Sequence, residues 1–292
     1  MLRGAWANKF PPQVSSSCLD KIVFSVQNMA TVEQNLQLWN TSYGWTQQGE
    51  EWSSTWGGSE AQWHGAILPR IRAFIPTDNI LEIAPGFGRW TNFLKHWCSH
   101  LTIIDLAENC IKVCQQRFAT DSHITYCVND GKSLAMIPDS SIDFVFSFDS
   151  LVHAEADVIE GYLNQLARKL KPHGVGFIHH SNIGEFGMSS HWIEKMPGKL
   201  RRSLTEKGWL DRDHGRAHSM TAEIFEEYCD RVGLQCIGQE LVNWGTKKLI
   251  DCFSVFTLRS SRRARPNKII RNCDFMREAA MIRRLSELYN FT

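Results

Sequence analysis

No run of 18 apolar residues occurs anywhere in the chain, so the sequence offers no helix long enough to cross a bilayer. The first 30 residues mix Arg3, Lys9, Pro11, Pro12 and Asp20 without a continuous apolar core, which argues against a secretory signal there. The expectation is a soluble, cytoplasmic protein. Neither sign of charge is in excess: 32 Lys and Arg stand against 31 Asp and Glu. A net charge of +1 makes no global case for nucleic acid or an anionic membrane as partner. Paired cysteines are missing as well. The nine cysteines (18, 98, 110, 114, 127, 229, 236, 252 and 273) form no C-x-x-C and keep no regular spacing, so they read as reduced, mostly buried thiols rather than a disulfide framework. There is no internal repeat.

What is present is enough for one large α/β domain with additions: 292 residues, 43% apolar and 22% charged. Six of the 11 tryptophans (6, 39, 45, 52, 56 and 63) fall in the first 63 residues among Gly, Ser and Gln, which sets residues 1–75 apart as a helical cap or lid. From Ile80 the texture changes to short apolar strands alternating with helical patterns, the sign of a parallel sheet covered by helices. Strands are predicted near 80–84, 101–105, 124–129, 142–148 and 174–180, then 234–242 and 249–257. The main domain is read as 76–258, with an insertion at about 181–220 whose basic stretch, KLRRSLTEK, would suit an anionic acceptor or a solvated face. Residues 259–292 read as a basic tail and an amphipathic helix.

The stretch ILEIAPGFGRW, residues 80–90, ends a strand in closely spaced glycines with an acid before them. Such a turn lets a ligand approach the backbone, because glycine has no Cβ. A dinucleotide fold would want G-x-G-x-x-G, and here the third glycine position falls on Thr91. The acid Asp105 closes LTIID 23 residues after Glu82; ITYCVNDG places Asp130 and Gly131 after a third strand; SIDFVFSFDSLVH and LKPHGVGFIHHSN supply a fourth and a fifth. In this order the landmarks resemble the class I S-adenosylmethionine (SAM) dependent methyltransferases, over roughly residues 80–257, with Ala84 where that family usually has its first glycine.

The resemblance implies a Rossmann-like fold, mostly parallel and seven-stranded with a final antiparallel strand, and SAM as cofactor. It implies cofactor contacts from Glu82, Ala84, Gly86, Gly88, Arg89, Asp105, Leu106, Asp130, Gly131 and Phe148. It further implies methylation, most readily of a hydroxyl or carboxylate on a sugar, peptide or other natural-product acceptor. N-methylation of a small molecule and a non-catalytic SAM-binding subunit stay open. The N/D-P-P-Y/F tetrapeptide of enzymes that methylate nucleic-acid bases is absent after the fourth strand, so nucleic acid is not expected as a partner. The sequence leaves the oligomeric state open, a homodimer among the alternatives.

A hydroxyl acceptor must lose a proton, so a base is sought near the ends of the fourth and fifth strands. His153 follows Asp149 by four residues, one helical turn, which would let the carboxylate orient the imidazole and hold its pKa at roughly 6 to 7.5. His180 is the second candidate, because strand alternation admits only one of His179 and His180 to the site. Asp149 is the third catalytic residue proposed. The fifth strand offers His-His-Ser-Asn in place of a second carboxylate, so no metal is expected.

Overall fold

The computed structural model describes residues 31–187, 197, 200 and 215–289. The expected insertion falls largely outside these residues, as do its basic 199–207 stretch apart from Leu200, Trp6, and the rest of the first 30.

Eight strands form one sheet: β1 (Thr77–Ile83), β2 (Cys98–Asp105), β3 (Ile124–Val128), β4 (Ile142–Ser147), β5 (Leu170–Ser181), β6 (Leu234–Val242), β7 (Asp251–Leu258) and β8 (Ile269–Asn272). Their order is β3-β2-β1-β4-β5-β7-β6-β8. Only β7 runs antiparallel, between β5 and β6. This is the Rossmann-like methyltransferase arrangement, with one strand more than expected. The extra strand, β8, pairs in parallel with β6 through Ile269 to Asn272. Its two isoleucines, flanked by Lys and Arg, are too short a run to read as a strand, so residues 269–272 of the expected tail form the sheet's outer edge, ahead of the expected helix at Phe275–Tyr289.

Alternation assigns each strand residue a layer. Ile80, Ile103, Phe144, Phe146 and Phe177 face one side, and Leu81, Ile83, Ile104, Val145 and Ile178 the other. Burial on both faces explains why the central strands read as continuous apolar runs. The second face is covered by helices Ala156–Lys169 and Ala222–Arg231. Thr221 caps the latter by accepting the Ile224 N–H at 3.0 Å, and Gly233, at φ +83°, ends it.

The first face is covered from both chain ends. The helical run 59–71 brings in Trp63, Ile67 and Ile71, and helix Phe275–Tyr289 brings in Phe275 and Ala279. They touch closely: a Cβ on Gly65 would meet Ile282 at 2.8 Å. Trp56 and Trp63 are 1% exposed, so these two are core residues rather than parts of a lid, and truncating either to Ala should cost about 3–5 kcal/mol.

Candidate functional site

The ends of β1, β2, β4 and β5 meet at the edge of the sheet where parallel strands finish, the edge at which such folds bind ligands. At the end of β1 the chain enters a tight turn in which Ala84, Gly86 and Gly88 all have positive φ (+57°, +57° and +82°). Ala84 thus keeps the left-handed geometry that favours glycine, and its carbonyl accepts the Ser150 hydroxyl at 2.7 Å.

Asp105 supports this turn from β2. One carboxylate oxygen accepts the Gly86 N–H at 3.1 Å and the other the Ala107 N–H at 2.8 Å. Burial raises its carboxyl to about 6 against the pull of those N–H groups. Glu82, 1% exposed, takes the Thr91 hydroxyl at 2.6 Å, and burial pushes its carboxyl up to about 8. Leu106 and Gly131 lie side by side: a Cβ on Gly131 would lie 3.7 Å from Leu106 Cβ. Asp130 is the exception in this group. Its carboxylate accepts the Lys132 and Ser133 N–H groups, which hold its pKa below the usual range while it stays exposed as a turn former.

Two glycines, a buried acid at the end of β2 and an apolar contact beside Gly131 fit the demands of a SAM site. The front segment is closed over it. Val32 stands 2.8 Å from the Cβ position of Gly131, and the Trp45 indole 2.8 Å from that of Gly86. Trp45 also stacks on Phe87 with ring centroids 4.2 Å apart. The space beside Gly86, expected to be left for cofactor, is therefore filled by this ring.

Beyond β4 the structure rearranges the expected catalytic group. Asp149, at φ +64°, does not orient His153; its carboxylate takes the Arg89 guanidinium at 2.9 Å, and Arg89 also donates to Ser53 Oγ at 3.1 Å. Arg89 and Asp149 thus form one ion pair at the turn after β1. The long helix starts only at Ala156, so the helical-turn spacing assumed for Asp149 and His153 does not apply. His153 instead donates from Nδ1 to the Gly215 carbonyl at 2.8 Å, since a carbonyl can only accept. That fixes the tautomer and leaves Nε2 as the basic nitrogen. Burial, reinforced by the charge of Arg216, pushes its pKa down to about 4. Trp39 lies against the ring at 5.6 Å.

Alternation does separate the two histidines of β5, in the opposite sense to the one expected. His180 faces the second layer, where both ring nitrogens are engaged, by Ser181 O and Ser254 Oγ at 2.8 Å each, and the ring stacks on Phe225 at 4.5 Å. It is not placed to act as a base. His179 faces Asp149, whose N–H it accepts at Nδ1 (3.1 Å), and its Nε2 lies 3.3 Å from Asp251. Phe148, 4.9 Å from that ring, is buried between His179 and Trp90.

Sequence reading missed Asp251, Arg216 and Gly215. Asp251 begins β7 opposite Ser181 and holds Arg216 by two bonds of 2.9 and 2.7 Å. Burial alone would raise its carboxyl, but Arg216 and His179 hold it well below the usual range. Antiparallel pairing of β7 with β5 could have signalled Asp251; nothing in the sequence marks Arg216 or Gly215.

Residues 80–174 match a family described as "Methyltransferase domain". The chain is 29% identical over 131 residues to phosphoethanolamine N-methyltransferase 1 of Triticum aestivum, a match covering 43% of this chain and 26% of that protein. The chain thus spans about a quarter of the length of the curated relative it matches. A SAM-dependent methyltransferase from Leishmania major is similar in structure, with TM-score 0.52 and 11% identity over 77% of this chain and 82% of that one. The N-methyltransferase NodS of Bradyrhizobium japonicum, solved with S-adenosylhomocysteine, gives TM-score 0.47 and 15% identity over 78% and 96%. The matched segment begins within β1 and takes in the glycine turn, Asp105 and the end of β4, so the similarity to a methyltransferase domain falls on the part of the Rossmann-like sheet that carries the site.

Proposed function

We propose that the protein methylates a hydroxyl of a sugar, peptide or other small natural-product acceptor, with His153 receiving the proton at Nε2. The observation behind this reading is the state of His153: buried, neutral at physiological pH, its Nδ1–H tied to the Gly215 carbonyl, beside the edge where Asp105 and the glycine turn lie. A carboxylate acceptor would need no such base.

Glu82, Asp105, Gly86, Gly88, Leu106 and Gly131 are the residues proposed to hold SAM. When bound, SAM supplies an electrophilic methyl group whose sulfonium leaves as a neutral thioether. The residues of this chain align and desolvate the acceptor, a contribution of orientation. The acceptor proton becomes strongly acidic only as the new C–O bond forms, so an imidazole of low pKa suffices to take it. Trp45 and Val32 must give way for a cofactor to lie against Gly86 and Gly131, which supports the reading of residues 31–49 as a lid.

An amine acceptor is the second reading. Trp39, Tyr43 and Trp45 cluster with ring centroids 4.9–5.9 Å apart, and Tyr43 donates to Glu51 at 2.9 Å, a combination of aromatic faces and an acid that suits a cation. The name of the wheat relative points the same way. Incubation with isotopically labelled SAM and panels of alcohols, amines and carboxylates, with the product identified by mass, decides between them. Labelled ester alone would remove His153 from the chemistry, and SAM binding without turnover on any panel would favour a non-catalytic subunit.

A further inference from the structure

At the opposite edge of the sheet, where the parallel strands begin, the basic stretch after β7 forms a structured depression. It has a volume of about 220 Å³ and is lined by Phe74, Ile237, Arg262, Arg263, Ala264 and Arg265. We propose that this depression is a second ligand site, one that takes a phosphate group carried by a small molecule.

Three features carry the proposal. The loop is held in shape: the Ser261 hydroxyl accepts the Arg263 N–H at 3.1 Å, and the Ser261 carbonyl accepts the Ala264 N–H at 2.9 Å, with Ser261 itself buried. The guanidinium groups are oriented: Arg263 lies over the Phe74 ring at 5.8 Å, and Arg265 Nε donates to the Ile237 carbonyl at 3.4 Å, where a bulge in β6 breaks the register with β7. Their charge is uncompensated. Among the described residues Arg262, Arg263 and Arg265 form no ion pair with a carboxylate, whereas Arg259 and Arg271 on either side are engaged by Asp230 and Glu185.

Three arginines lining one depression, none of them paired with an acid among the described residues, match a group that presents several oxygens and up to two negative charges, which phosphate does and a lone carboxylate does not. The apolar floor of Phe74 and Ile237 leaves room for the carrier of the phosphate. In a chain of net charge +1, this concentration of arginine is local rather than a property of the whole surface. The site is separate from the glycine turn, so it would recognise a phosphorylated molecule or a distal phosphate of one, not the reacting atom.

The test is a titration of the ¹⁵N-labelled chain with inorganic pyrophosphate, and separately with inorganic phosphate, at constant ionic strength held with chloride. Saturable amide shifts confined to residues near 74, 237 and 258–268, weakened roughly tenfold or more in an R262A/R263A double variant of unchanged melting temperature, are expected. Shifts that do not saturate, that chloride reproduces, or that persist in the double variant would overturn the site. A sedimentation arm with phosphatidic acid vesicles separates the sources of phosphate: binding to vesicles without any to soluble phosphate would mean a surface contact and would equally defeat the proposal.

Discussion

Replacing Glu82 by Gln should stabilise the protein more at neutral than at acidic pH. The side chain is buried at the end of β1, and burial lifts its carboxyl from 4.5 to about 8, with the Thr91 hydroxyl and the charge of Arg89 opposing only part of that rise. Between those values the folded chain holds a proton that the unfolded chain has released. The contribution of Glu82 is therefore fully present below 4.5 and is lost as pH rises through about 8, at about 1.4 kcal/mol per pH unit in between. From about pH 5.5 to about pH 7.5 this amounts to roughly 3 kcal/mol, or roughly 5–10 °C in Tm for a chain of this size. Gln cannot ionise and keeps an oxygen for Thr91. His153, His180 and Asp105 are unaltered by the substitution and largely cancel in the difference between the two proteins. Urea unfolding of wild type and E82Q at both pH values, followed by tryptophan fluorescence, reads that difference directly. Two stability curves that stay parallel from acidic to neutral pH would show that Glu82 is ionised in the folded state and that the reasoning from its burial is wrong.

Four further expectations concern the site. Asp105→Ala removes the acceptor of the Gly86 and Ala107 N–H groups and should weaken SAM binding more than tenfold, since each lost bond to a charged group costs about 1.5–3 kcal/mol; unchanged affinity by calorimetry in a folded variant would remove Asp105 from the cofactor site. With a hydroxyl acceptor, His153→Ala should lower the methyl-transfer rate by about 100-fold or more with SAM affinity kept, and the wild-type rate should fall with acid only as pH approaches about 4. His180→Ala should instead lower the melting temperature and leave the rate per folded molecule intact; a rate loss in His180→Ala alone would reverse the two roles. Ala84→Gly should add up to about 1 kcal/mol of stability, because relief of a left-handed alanine outweighs the extra freedom of glycine in the unfolded chain, and a urea midpoint below wild type would contradict this.

Much of the architecture was legible because it is written in local patterns. The alternation of apolar strands with helical faces, the Thr221 cap and the glycine turn after Glu82 each depend on residues close in sequence, and each lies where its pattern placed it. The spacing from Glu82 to Asp105 carried more: it put the acid against the Gly86 N–H, because a turn and one helix join two neighbouring parallel strands whose ends then lie side by side.

What the sequence left undecided was which groups face one another across the sheet edge. Alternation alone said that His179 and His180 must part, but only the packing of Phe225 against one and of Trp244 and Phe253 against the other decided which looks toward Asp149. Asp149 was four residues from His153 and yet pairs with Arg89, because a buried carboxylate is stabilised by the cation that the turn after β1 delivers, 60 residues earlier. The tautomer of His153 is set by a carbonyl 62 residues away, and Arg216 finds Asp251 only because β7 runs back beside β5. A chain records its periodicities and its turns one residue after another; ion pairs, tautomers and the side on which a strand end points are settled by burial, which exists only once the layers have closed.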